Sequence, residues 1–118
     1  MLSIKKLWHS LAHALRGLGA AWQTQNNFRW HSLALIIVII LGWLAALSVL
    51  EWILIIIVSG LVLITELINT MMERLVDLAK PRVHVYAQLI KDVMAGVTLL
   101  AALIAFIVGI LIFLSHLL

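Results

Sequence analysis

The residues whose types and spacing could do chemistry lie together between Thr65 and Asp77: Glu66, Asn69, Thr70, Glu73 and Asp77. On a helix turning about 100° per residue, Asn69, Glu73 and Asp77 fall roughly −60°, −20° and +20° from Glu66, with Thr70 at roughly +40°. Leu67, Ile68, Met71, Met72, Leu75 and Val76 mostly fill the remaining arc, so a polar stripe runs along an apolar helix. Three carboxylates on one stripe repel each other unless a cation, a proton or basic side chains compensate them. A carboxylate held away from water can act as general base toward a hydroxyl within hydrogen-bond reach, and Glu66 is the one deep candidate. Glu73 and Asp77 offer hard oxygen ligands suited to magnesium, which commonly takes one or two carboxylates together with substrate phosphates. Asn69 and Lys91 could orient and neutralise a phosphoryl group, because such chemistry depends mainly on positioning and charge stabilisation. Together these parts describe phosphoryl transfer at a membrane surface. The simpler reading is a helix leaving the membrane, with Glu73 and Asp77 in water and Glu66 protonated; against it, an ionisable group inside a span normally faces a partner or a wet cavity.

The elements that must hold this stripe follow from composition. The 118 residues form one domain, residues 1–118, and 65% hydrophobic with 11% charged residues lies far outside the soluble range. The chain has no cysteine, which excludes disulfides, thiolate zinc sites, iron–sulfur clusters and a cysteine nucleophile. Met1-Leu2-Ser3-Ile4-Lys5-Lys6 lacks the apolar core and small-residue cleavage site of a signal peptide and reads as mature protein. The net charge of +3 arises from scattered cations that flank apolar runs, which favours a membrane surface over nucleic acid as partner.

Apolar residues recur with helical period at Ile4, Leu7, Trp8, Leu11, Leu15, Leu18 and Trp22, interrupted by Lys5, Lys6, His9, His13 and Arg16. The pattern predicts an amphipathic surface helix over about residues 4–22, with Trp rings at headgroup depth. After a polar break at Gln23-Thr24-Gln25-Asn26-Asn27, an uncharged run predicts a first span over about 32–50. A short turn at Ser48 to Trp52 leads into a second span over about 52–72. Glu66 then lies roughly 21 Å along that span at 1.5 Å per residue, in the far leaflet of a roughly 30 Å core. Lys80-Pro81-Arg82 stops the helix, and after a His84-Val85-Tyr86 link a third span covers about 93–115. Ala95, Ala102, Ala105 and Gly109 give this third helix small residues that allow a neighbour to come close. The fold class is an all-α membrane protein of three transmembrane helices plus an N-terminal amphipathic surface helix.

Lys5, Lys6, Arg16 and Arg29 precede the first span, and Arg74, Lys80, Arg82 and Lys91 lie around the link between the second and third. All eight cations therefore fall on one side, which predicts a cytoplasmic N-terminus and active site and a C-terminus across the membrane. No Walker-type glycine loop is present, so any nucleotide site is unconventional. His9 and His13 stand at i, i+4 on the basic face of the surface helix, a pattern that fits the interface better than a metal pair.

The chain resembles the small prokaryotic diacylglycerol kinase and undecaprenol kinase family. The resemblance rests on Glu66-Leu-Ile-Asn69-Thr70-x-x-Glu73-x-x-x-Asp77-Leu78 and on Ala87-x-x-x-Lys91-Asp92-x-x-Ala95-Gly96, with further support at Arg16-Gly17, Trp22, Asn27-Phe28, His31 and Leu47 to Trp52. It implies a homotrimeric multi-pass enzyme of the bacterial cell membrane, with active sites between subunits, which transfers the ATP γ-phosphate to a lipid hydroxyl. By the same resemblance Glu66 is the base and Glu73 a metal ligand for Mg2+, while Asn69, Asp77, Lys91, Asp92, Arg16, Gly17, His13 and Lys6 surround the nucleotide and its phosphates. His31 and Ser48 to Trp52 look more like the undecaprenol kinases of Gram-positive bacteria, so undecaprenol is the expected substrate and diacylglycerol the alternative. Where the family usually has a second metal-binding Glu before Asn-Phe, this chain has Gln25, a neutral amide whose carbonyl oxygen ligates magnesium more weakly. A non-catalytic membrane adaptor would account for the spans and the charge bias but not for the stripe.

Overall fold

The computed structural model describes residues 3–79 and 84–118. It is built from four helices: α1 (Ile4–Thr24), α2 (Asn26–Ala45), α3 (Val49–Ala79) and α4 (His84–Leu117). Among the described residues there is no strand. The last three helices are long and apolar enough to cross a membrane. The stop expected at Lys80-Pro81-Arg82 lies outside the described residues; α3 runs to Ala79, and the residues read as the His84-Val85-Tyr86 link already belong to α4.

α1 begins at a Ser3 N-cap, whose Oγ accepts a bond from the Lys6 amide at 3.2 Å. Leu7, Trp8, Leu11, Leu15 and Leu18 remain exposed along it, while Ala21 is buried. The polar break expected over five residues contracts to one, Gln25, whose extended backbone separates α1 from α2. Phe28 is buried close to this junction, where α1 packs on α2.

The next turn also differs from the sequence reading. α2 ends at Ala45, and Ala46 adopts the left-handed conformation at φ 55°, with its amide directed back to the Gly42 and Trp43 carbonyls. Ser48 and Glu51 then cap α3 reciprocally. The Ser48 amide donates to Glu51 Oε1 at 2.9 Å, and the Glu51 amide donates to Ser48 Oγ at 3.2 Å. Two amides that the first turn of a helix leaves without partners are thereby satisfied. The turn is held close by Gly42, since a Cβ there would meet the Trp52 ring at 2.7 Å and Leu47 at 2.9 Å.

α4 packs along α3 more extensively than any other pair of helices. Its buried residues Ala87, Thr98, Ala101 and Ile112 recur at helical spacing and face Ile55, Val62, Thr65, Glu66 and Val76 on the buried side of α3. A compact cluster of Leu47, Ile55 and Ile112, flanked by Val38, Trp52, Val108 and Phe113, fills the end near the α2–α3 turn. That end is closed by His116, whose Nε2 lies 2.8 and 3.0 Å from the two Glu51 carboxylate oxygens. The small-residue series on α4 serves a different purpose from the close helix contact expected of it. Ala95 is exposed, and Ala102, Ala105 and Gly109 line a cleft of about 280 Å³ instead of meeting a neighbouring backbone.

Candidate active site

The 31 residues of α3 extend about 46 Å at 1.5 Å per residue, longer than a roughly 30 Å hydrocarbon core, so its last turns project beyond the span. The stripe follows this gradient. Glu66 is buried to 3% exposure, Asn69 is partly buried, Thr70 is buried, and Glu73 and Asp77 are exposed. The Thr70 hydroxyl donates to the Glu66 carbonyl at 3.0 Å, and Thr65 Oγ1 donates to the Val62 carbonyl at 3.0 Å. Threonine hydroxyls that bond within the helix leave the Glu66 side chain as the group aimed across it. From α4, the Thr98 hydroxyl donates to the Met94 carbonyl at 3.2 Å and reaches the Thr65 carbonyl at 3.4 Å, tying the two helices one residue short of Glu66.

His31 of α2 is the partner that faces Glu66. Its Nε2 lies 3.6 Å from Glu66 Oε2, with the imidazole 33% exposed and the carboxyl side chain 4% exposed. His31 also lines the cleft between α2, α3 and α4, together with Ala34, Val58, Ser59 and Phe106. His31 therefore links the deep carboxylate to an apolar cleft that it lines itself. From the sequence, His31 points only to substrate class. The signal that could have found it is its place as the last ionisable residue before the uncharged run of α2.

Toward the exposed end, Lys91 Nζ of α4 pairs with Asp77 Oδ1 of α3 at 2.7 Å. One expected anion and one expected phosphate-binding cation thus lock the two helices together beside Glu73. Asp92 lies next to this pair in the chain and accepts a bond from Gln88 Nε2 at 2.8 Å. Asn69 Oδ1 is buried and has no hydrogen-bond partner among the described residues. A buried acceptor without a partner costs free energy, so this oxygen calls for a donor or a cation from outside the chain.

On α1, Arg16 Nη2 lies 3.2 Å from His13 Nδ1 and Arg16 Nε donates to the Ala12 carbonyl at 3.4 Å, both on an exposed surface. Lys6 is exposed, and Gly17 has open space where a Cβ would sit. Gln25 is partly buried at the α1–α2 break, with its amide nitrogen donating to Thr24 Oγ1 at 3.4 Å. Its carbonyl oxygen is the atom able to meet a cation. Among the described residues no three His, Asp or Glu side chains cluster as a closed metal site. Taken by donor chemistry alone, the exposed Glu73 carboxylate and the Gln25 carbonyl are oxygen groups of the kind magnesium takes together with phosphates.

The profile of the family described as prokaryotic diacylglycerol kinase matches residues 12–113, a stretch that takes in the stripe, His31 and the Asp77–Lys91 pair. The chain belongs to this family. Membership makes it a lipid kinase of a bacterial membrane. Among its diacylglycerol kinase-family relatives, undecaprenol kinase of Bacillus subtilis is 38% identical over 114 residues, covering 97% of this chain and 93% of that protein. A diacylglycerol kinase of Synechocystis is 40% identical over 101 residues, covering 85% of this chain but 58% of the relative. A diacylglycerol kinase of Helicobacter pylori is 32% identical over 96 residues, covering 81% of this chain and 75% of the relative.

Proposed function

We propose that this lipid kinase transfers the γ-phosphoryl group of ATP to the hydroxyl of undecaprenol. The observation that carries the reading is Glu66, a buried carboxylate placed on an apolar helix beside the cleft that α2, α3 and α4 enclose. Glu66 Oε2 accepts the proton of the lipid hydroxyl as that oxygen forms its bond to the γ-phosphorus and ADP leaves. Lys91, held by Asp77, and Asn69 orient the phosphates, and Asp92, Arg16, Gly17, His13 and Lys6 lie around the nucleotide. Glu73 and Gln25 would hold Mg2+, which when bound supplies charge neutralisation at the phosphates.

Undecaprenol as acceptor is supported by the Bacillus subtilis relative, which matches over nearly the whole of both chains. His31 and the Ser48 to Trp52 stretch point the same way. The test compares undecaprenol and diacylglycerol in the same micelles at equal surface concentration. The expected result is a higher kcat/KM for undecaprenol; a clear preference for diacylglycerol would assign the chain to that lipid instead.

The reading extends to one domain spanning residues 1–118, to a homotrimer with active sites between subunits, and to an N-terminus and site on the cytoplasmic side. Within one chain most of the surface of each span is uncovered, which supports contact with further copies as well as lipid. The one-sided distribution of Lys and Arg supports the orientation. Cysteines introduced as Ser3→Cys and Ser115→Cys, both at exposed positions, are expected to label from opposite sides of the membrane. Labelling of both from one side would eliminate the three-span arrangement.

A further inference from the structure

The distance between His31 and Glu66 carries more than proximity. At 3.6 Å, Nε2 and Oε2 are too far apart for a direct hydrogen bond, which falls at about 2.7–3.2 Å. They are close enough for one oxygen atom to stand at ordinary hydrogen-bond distance, about 2.8 Å, from both. His31 belongs both to this pair and to the lining of the apolar cleft, with Ala34 and Val62. An alcohol whose tail enters the cleft therefore brings its hydroxyl to a place with one acceptor and one donor. Among the described residues no other ion-pair partner of Glu66 is present.

We propose that His31 is a second catalytic residue of the lipid site: its Nε2–H donates to the oxygen of the acceptor hydroxyl while that hydroxyl donates its proton to Glu66 Oε2. The proposal rests on Glu66 acting as base. In the step, the O–H bond breaks and its proton passes to Glu66. The freed electron pair forms the O–P bond, and the bond from the γ-phosphorus to the ADP oxygen breaks with its electrons leaving on ADP. His31 keeps its proton throughout. Its contribution is to fix the hydroxyl so that one lone pair points at phosphorus, which the flexible tail in an apolar cleft cannot do alone. A site built to bond a hydroxyl also rejects chains that enter without one, because the imidazole and the carboxylate would be left unpaired.

The test measures kcat, KM for the lipid alcohol and KM for ATP in His31→Phe, His31→Gln and Glu66→Gln against the wild type, in one micelle system. His31→Phe keeps a ring in the cleft but removes the donor, and kcat/KM for the lipid is expected to fall roughly 10–100-fold with KM for ATP unchanged. His31→Gln restores an N–H of similar reach and is expected to recover most of that loss. Equal impairment of the two variants would mean that ring packing, not the donor, is what matters, and would overturn the proposal. So would a wild-type lipid kcat/KM in His31→Phe, or a KM for ATP that rises in step with the loss. Glu66→Gln separates the two levels. If it retains wild-type kcat, the base reading fails; if it loses kcat while His31→Phe does not, only the role of His31 fails.

Discussion

Replacing Glu66 by Gln is expected to lower kcat by at least roughly 10²-fold, the lower end of what a positioned general base contributes. Gln keeps the shape of the side chain and can still hydrogen-bond, but it cannot take up the proton. Burial makes this a clean substitution. Glu66 is almost fully shielded, and an amide of the same shape keeps the packing around it. Stability is therefore expected to hold while turnover collapses. ATP affinity should be retained, because Asp77 and Lys91, proposed above to serve the nucleotide, pair with each other across α3 and α4 at the end of α3 beyond Asn69. The measurement is kcat together with nucleotide binding and the thermal midpoint in detergent; a kcat within a few-fold of the wild type would remove Glu66 from the chemistry.

A magnesium titration of turnover gives the second large effect. Glu73→Gln removes the one carboxylate of the proposed donor set, since Gln25 already supplies a neutral oxygen. The magnesium concentration for half-maximal activity is expected to rise roughly 10–100-fold, a range seen even when groups one layer removed from a metal are altered. Excess magnesium should restore part of the rate, which it cannot do for Glu66→Gln. The reverse substitution, Gln25→Glu, should lower the midpoint by adding a charge beside the phosphates. An unchanged midpoint in Gln25→Glu, combined with a Glu73→Gln enzyme that behaves like Glu66→Gln, would show that base and metal site are not divided in this way.

Much of this architecture is legible in the residues because lipid simplifies the problem. A helix is the one spanning structure that a chain without a closed barrel can form in hydrocarbon, so apolar length translates directly into α2, α3 and α4. The face shared by Glu66, Asn69, Glu73 and Asp77 follows from helical period alone. The gradient from buried Glu66 to exposed Asp77 follows from the length of α3 against the thickness of a bilayer. Other features depend on which helix lies beside which, and periodicity says nothing about that. His31 acquires its meaning only when α2 brings it to Glu66, some 35 positions later in the chain. Ala102, Ala105 and Gly109 read equally well as a tight interface or a cleft lining, and packing decides between them. The start of α3 was readable in a way composition did not suggest. Ser48-Val49-Leu50-Glu51 is a capping box, so Glu51 serves the helix end as well as marking the end of an apolar run.

The contact between Glu51 and His116 joins residues 65 positions apart, whereas the bonds that form the α2–α3 turn span three to five. Closing a long loop costs more chain entropy than closing a short one. The hairpin of α2 and α3, with its Gly42 contact and reciprocal cap, can accordingly assemble from neighbours before α4 is in place. The His116 bond instead needs the last turn of α4 to return to the first turn of α3. A chain in which His116 meets Glu51 while Lys91 meets Asp77 and Thr98 meets Thr65 has α3 and α4 in register from one end to the other.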